Sequence, residues 1–355
     1  MRQTPLYDEH KALGCKIVDF SGWAMPVQYQ GIVQEHLHTR KAVSLFDCSH
    51  MGEFTVVGAA AMEAFNRLVI SDMSKIPVGR CRYGSFLNED GGIIDDVITF
   101  RMAEDELFVV TNAGALERVS ALITGAVDGA KDVSNETAKI DVQGPFARDI
   151  MERVGIEAAV ALKYFRACRT EWKGHPLLVS RTGYTGELGY EIYMSNDAAV
   201  PLWRELLTFE ETAPAGLGAR DTLRTEVGYP LSGQDVKEDR TPLEANMEPF
   251  IAWDTEFVGK EALLRQKEAG GYQRLTAIKT ADRRAPRHGF EVFDGDNTIG
   301  EVTSGTFGPS VGHGVGMGYL AEGYQKPGLA LSAGPRRLAI ETAEFPFYTE
   351  GTCRA

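Results

Sequence analysis

Cysteine is scarce: Cys15, Cys48, Cys81, Cys168 and Cys353 are odd in number, far apart and form no CxxC pair. That spacing suggests neither a disulfide framework nor a zinc site, and it fits a reducing compartment, so a cytoplasmic protein is expected. No apolar run approaches the ~20 residues that cross a bilayer. Met1 to Tyr7 lacks the charged-then-apolar order of a secretion signal. Positive charge is in deficit, 37 Lys plus Arg against 50 Asp plus Glu, for a formal charge of -13. Such a chain is repelled by nucleic acid and by anionic membranes, which leaves small molecules and proteins as the expected partners. Its length of 355 residues, 43% of them hydrophobic, exceeds the usual single domain, so two or three are expected.

What is present is organised around Asn88 to Phe100. Asn88, Asp90, Gly91 and Gly92 are turn formers, and the β-branched run that follows reads as a strand after a hairpin turn. Alternation puts Ile94, Asp96, Ile98 and Phe100 on one side and Ile93, Asp95, Val97 and Thr99 on the other. Asp96 is then a lone carboxylate on an apolar face, where Val or Thr would serve a mere strand better. Arg82 to Leu87, Ile93 to Arg101 and Glu106 to Thr111 read as an antiparallel meander. In register, it gathers Tyr83, Asp96 and Asn112 on one side.

Elsewhere helices alternate with antiparallel strands without a regular βαβ pattern, which predicts an α+β class. Gly31 to Phe46 carries Ile32, His36, Thr39, Ala42 and Val43 at helical steps, with His36 and His38 read as solvated. Lys139 to Val142 and the pair Leu177 to Arg181 and Tyr190 to Met194 read as strands. The turn Thr182 to Gly189 holds three glycines that permit close approach of a ligand or serve a tight bend. Arg220 and Arg224, one turn apart on a helix, offer a place for a carboxylate-bearing ligand. From Arg274 onward short strands alternate with Gly, Pro and Asp, so a boundary is expected near residue 270. Gly312 to Gly318 reads as a barrel hairpin, because Pro309 precedes it and no helix follows. Arg283, Arg284, Arg287 and His288 form a basic knot, a solvated turn or a docking point for an acidic partner.

Taken together, the motifs resemble the glycine cleavage T-protein family, the tetrahydrofolate-dependent aminomethyltransferases. The resemblance rests on Val18 to Trp23, Ser49 to Glu53, Gly91 to Asp96, Gln143 to Pro145, Ser180 to Glu187, Pro214 to Leu223, Gly233 to Asp235, Thr241 to Ala245, Ala285 to Arg287 and Val302 to Gly305, in order along the chain. It implies a cloverleaf-like arrangement of three domains: a discontinuous α+β domain of residues 1–50 and 140–270, a second α+β domain of residues 51–139 with an antiparallel sheet, and a C-terminal β-barrel of residues 271–355. It further implies tetrahydrofolate as co-substrate and a lipoylated H-protein as carrier. By motif position Asp96 would be the catalytic carboxylate beside the folate nitrogens, and Glu191 would hold the pterin edge. Tyr83, Asn112 and Tyr184 would line the pocket, Arg220 would lie near the folate tail, and Arg287 would stand at the entrance used by the lipoyl arm. The alternative within the superfamily is a tetrahydrofolate-dependent demethylase of a free methylated amine or sulfonium compound.

Overall fold

The computed structural model describes residues 1–355. The meander expected around Asn88 forms as read. Arg80–Leu87, Ile93–Ala103 and Glu106–Thr111 pair antiparallel, and Gly52–Val57 and Ala130–Asp132 extend them to a five-stranded sheet. The turn is built by Asn88, whose side-chain oxygen accepts from the Asp90 and Gly92 amides at 3.1 and 2.8 Å. Gly91 takes φ +83°, and a Cβ on Gly92 would lie 1.9 Å from the Glu238 carbonyl, so both positions require glycine.

A six-stranded sheet runs Ala167–Trp172, His175–Ser180, Gly189–Ser195, Thr137–Gln143, Val43–Asp47 and Thr212–Pro214 in spatial order. All its pairings are antiparallel except the last, Thr212–Pro214 with Val43–Asp47. Toward the C-terminus six strands, Arg274–Lys279, Gly314–Leu320, Asn297–Phe307, Glu291–Asp294, Ala330–Ala333 and Leu338–Ala343, close into a barrel. The α+β class with a C-terminal barrel is therefore what the chain adopts, and Gly314 to Gly318 lies in a barrel strand. As domain boundaries we propose 1–50 with 140–270, 51–139, and 271–355. In this division Val236, Leu243, Phe257 and Leu263 pack across to Ile70, Leu87 and Ile93 of the second sheet.

Each large sheet keeps its apolar side toward helices. In the six-stranded sheet Val43, Leu45, Ile140, Val142, Tyr190 and Ile192 pack against Ile150, Leu202 and Trp203 of helices Ala147–Arg153 and Asn196–Leu206. In the five-stranded sheet Phe54, Val56, Val97 and Val109 pack against Phe65 of Ala59–Asn66 and Val119 and Ile123 of Leu116–Ala126. Alternation then sends Lys139, Asp141, Gln143, Glu191 and Tyr193 from one sheet, and Glu53, Phe100 and Phe108 from the other, to the opposite sides. There Tyr193 meets Phe100 and Phe108 edge-on, with centroids 5.9 and 5.2 Å apart, and these contacts join the two sheets.

Several readings are corrected. The helix read from Gly31 to Phe46 stops at Lys41, and Val43–Asp47 is an interior strand with every residue buried. The steps that fitted a helix, Ala42 and Val43, belong to a run whose β-branched and aromatic members pack better in a sheet. His36 is not solvated: it is fully buried, with Nδ1 on Thr222 Oγ1 and Nε2 on Ser310 Oγ, each at 2.8 Å, and 3.1 Å from Glu226. Beside it Arg40 spans Glu187 and Glu226, each at 2.9 Å, under the Tyr348 ring, so this helix face clasps the barrel loop and C-terminal tail. Finally, a bulge between Phe86 and Leu87 shifts the register, and Ile94 joins the cluster of Val97 instead of sharing the side of Asp96.

Candidate active site

Strand Ile93–Ala103 delivers two successive carboxylates to opposite sides, and the residue after the neighbouring strand, Asn112, ties them together. Its Nδ2 donates to Asp95 Oδ1 at 2.9 Å, to the Asp96 carbonyl at 2.8 Å and to Asp96 Oδ1 at 3.1 Å. Its backbone N–H donates to Asp95 Oδ2 at 2.9 Å. The Tyr83 hydroxyl donates to Asp96 Oδ2 at 2.9 Å, and its ring is held edge-on by Phe250. From the loop after helix Leu217–Val227, Ser232 Oγ donates to Asp95 Oδ1 at 2.6 Å. The expected grouping of Tyr83, Asp96 and Asn112 is thus present. No Lys, Arg or His bonds to either acid. Burial pushes both carboxyls above the usual range; the charge of Asp96 pushes Asp95 further, and the hydrogen bonds just described ease both. Asp95 is fully buried, whereas Asp96 keeps partial exposure.

A second cluster lies on the polar side of the six-stranded sheet. Glu191 Oε1 meets Lys139 Nζ at 3.0 Å, and its Oε2 accepts from Thr182 Oγ1 at 2.7 Å and Tyr193 OH at 3.0 Å. Lys139 Nζ is also 3.4 Å from Asp141 Oδ1, and Asp141 Oδ2 accepts from Arg220 Nη1 at 2.8 Å. Acid, base, acid and base alternate along this row, which holds Lys139 and Arg220 in charged form despite burial. The Arg220 guanidinium lies 5.0 Å from the Tyr184 ring, and Tyr184 stacks on Tyr229 with centroids 5.9 Å apart. Burial raises the Tyr184 phenol, with Arg224 opposing and Asp96 adding to the shift, so Tyr184 stands between the two clusters electrostatically.

Arg224 does not join Arg220 as a free cation. It is almost fully buried and spent on Asp221, Asp235, Ser304 and the Tyr229 carbonyl. Arg287 is exposed on the barrel, apart from both clusters. Its neighbours Ala285 and Pro286 are buried, and His288 Nδ1 bonds the Thr303 carbonyl, which also accepts from Gln234. Sequence reasoning missed Ser232, Lys139 and Asp141. The signal for the last two was the alternation Lys139, Asp141, Gln143 against Ala138, Ile140, Val142, a polar side that is buried instead of wet. Cys48 and His50 share no hydrogen bond: burial is the largest cause raising the thiol and lowering the imidazole to about 4, with Arg220, Lys139 and Asp47 as lesser influences on both.

Two layered α+β sheets, an appended closed barrel, and paired carboxylates beside an alternating ionic row define a class of multidomain small-molecule transferases. Residues 6–255 match the family model described as the GCVT N-terminal domain, and residues 273–349 match the glycine cleavage T-protein C-terminal barrel domain. The chain belongs to the glycine cleavage T-protein family. An aminomethyltransferase of Halothermothrix orenii is 40% identical, with 98% of this chain and 100% of the relative covered. One of Halalkalibacterium halodurans is 38% identical with 99% of each covered. The crystal structure of glycine cleavage system aminomethyltransferase T from Bartonella henselae superposes with a TM-score of 0.94 at 32% identity, covering 99% of both chains.

Proposed function

We propose that the protein is a cytoplasmic aminomethyltransferase of glycine cleavage, passing the methylene of a lipoyl-bound aminomethyl group to tetrahydrofolate with release of ammonia. The observation that carries this reading is the carboxylate pair: two buried acids joined through one amide, with no cation to neutralise them, in a chain that matches aminomethyltransferases end to end. A fold needing only stability gains nothing from such a pair, since burying like charges costs several kcal/mol, roughly.

The residues present fit the folate. A pterin edge is rich in N–H donors, and the ionic row is rich in acceptors: Asp141 Oδ1 is buried and faces the Lys139 ammonium at 3.4 Å without a hydrogen bond, and Glu191 has lone pairs beyond its three partners. Tyr83, Asn112 and Tyr184 supply the walls, and Arg220 a cation for the tail carboxylates. When bound, tetrahydrofolate supplies the two nitrogens that accept the carbon. Asp96 faces positive charge as it develops on nitrogen, and it holds or moves a proton there; such a group contributes about 10^2- to 10^4-fold. Tyr83 fixes the Asp96 rotamer and Asn112 fixes its distance from Asp95. Arg287 offers an exposed cation for the carrier that brings the lipoyl arm.

The test is to incubate the protein with tetrahydrofolate and aminomethyl-loaded, lipoylated carrier and to follow ammonia and 5,10-methylenetetrahydrofolate. Product from the carrier, and none from a panel of methylated amines and sulfonium compounds, is the expected result. 5-Methyltetrahydrofolate from a free donor would replace this reading with a demethylase. Arg287→Glu should weaken carrier binding most at low salt, where charge contacts reach furthest.

A further inference from the structure

We propose that Asp95 is a positioning residue for Asp96: the ionised partner that, locked by Ser232 and Asn112, keeps a proton on Asp96. The inference rests on the aminomethyltransferase reading only for its use in turnover.

The argument is one of donors and acceptors. Asp95 receives three hydrogen bonds: the Asn112 backbone N–H on Oδ2, and Asn112 Nδ2–H with the Ser232 hydroxyl on Oδ1. Two of these donors are amide N–H groups, which cannot turn round to accept. A proton on Asp95 would weaken the oxygens on which those two amide donors depend in a fully buried site, even if the Ser232 hydroxyl turned to accept it. Asp96 is placed differently. Its Oδ2 faces the Tyr83 hydroxyl, which can donate to the anion or accept from the acid, and its Oδ1 holds only the longer 3.1 Å contact of the shared Asn112 amide. Each acid has one hydroxyl partner that can turn round, Ser232 for Asp95 and Tyr83 for Asp96, so the difference lies in the two 2.9 Å amide N–H donors that Asp95 receives; when one of two adjacent acids must be neutral, the one with fewer such donors takes the proton.

The titratable groups facing the pair are Asp95 and Asp96 themselves, Tyr83 from strand Arg80–Leu87 and Tyr184 from the glycine-rich turn. Of the cations flanking Ser232 along the chain, Arg224 on the preceding helix is committed to Asp221 and Asp235, and Lys237 to Asp239. No cation therefore pairs with the Asp95 charge, which lies next to Asp96. In turnover Asp96 gives this proton to the departing amine nitrogen as the C–N bond breaks, and so becomes the anion that faces positive charge. The nitrogens that take the carbon each lose a hydrogen as they bond it; one of these restores Asp96, and the other goes to the lipoyl sulfur, which leaves as a thiol when its C–S bond breaks. Protons move and no oxidation occurs.

The ligand-free, full-length protein labelled at aspartate carboxyl carbons is titrated by NMR. Asp95→Asn should lower the Asp96 midpoint by about one pH unit or more, the coupling expected of touching acids. Ser232→Ala, a milder change that guards against misfolding of the first variant, removes a donor from the Asp95 anion and should raise the lower midpoint of the pair. Ser232→Thr, which keeps the hydroxyl, should restore it. A midpoint of Asp96 that stays in place in Asp95→Asn, or a pair blind to Ser232→Ala, overturns the proposal. Because no folate or carrier is present, midpoint shifts in a protein that forms no methylene product would keep the proposal and refute the function, and the reverse outcome would do the opposite.

Discussion

The two polar clusters solve the same problem in opposite ways. Along Glu191, Lys139, Asp141 and Arg220, each buried charge is followed by its opposite. At Asp95 and Asp96, like charges are set side by side and only neutral donors are supplied. The first arrangement spends desolvation on fixed ions and gives a rigid surface of known charge. The second leaves the charge state adjustable, since burial and repulsion bring its titration toward neutral pH. In the proposed function, binding belongs to the row and proton handling to the pair.

The comparison breaks most sharply at Asp96. Asp96→Asn should cut turnover about 10^2- to 10^4-fold while leaving the thermal midpoint unchanged or raised, because it relieves repulsion; a thermal melt beside the carrier assay checks both. Unaltered turnover would remove Asp96 from the chemistry. Lys139→Met should do the reverse in kind. Stripping the cation from between Glu191 and Asp141 should cost about 3–5 kcal/mol in denaturant unfolding, as expected for a charge partner only 2% exposed. A loss far below that would mean that the row is not held by alternation. Tyr83→Phe should be milder, about tenfold in turnover, the value of one hydrogen bond to a charged group. Its double variant with Asp96→Asn should cost little more than Asp96→Asn alone if the two act as one unit.

The smallest effect is on stability against pH. The paired acids bind protons more readily folded than unfolded, so stability is greatest below the ordinary carboxylate range and falls as pH rises toward neutrality. Asp96→Asn should flatten that slope. Glu226 runs the other way: burial pushes its carboxyl up, but His36, Arg40 and the Ser310 amide overcome it and hold it at about 2. Its stabilisation is present above the ordinary glutamate range and is lost as pH falls toward about 2, a loss that Glu226→Gln should abolish in acid unfolding curves.

Local pattern carried much of this. The turn at Asn88 and the three strands of the meander were legible because glycine chemistry and alternation agree there, and they placed Asp96 beside Tyr83 and Asn112. The clasp at His36 was not, since a buried histidine on a charged helix looks wet until Thr222, Ser310 and Glu226 arrive from far along the chain. Lys139 and Asp141 failed to register for the same reason. Their strand alternates like a surface strand, and only a second sheet packed over it makes the polar side interior. Ser232 lies 137 residues from Asp95, and nothing local to either announces the contact.

Since each large sheet sets its grease against its own helices, each layer keeps an apolar core that the carboxylate pair does not enter. The pair can therefore change its chemistry, acid for amide or tyrosine for phenylalanine, at little risk to either layer. A scaffold of that kind separates what keeps it standing from what it does, and new substrates are reached by editing the seam alone.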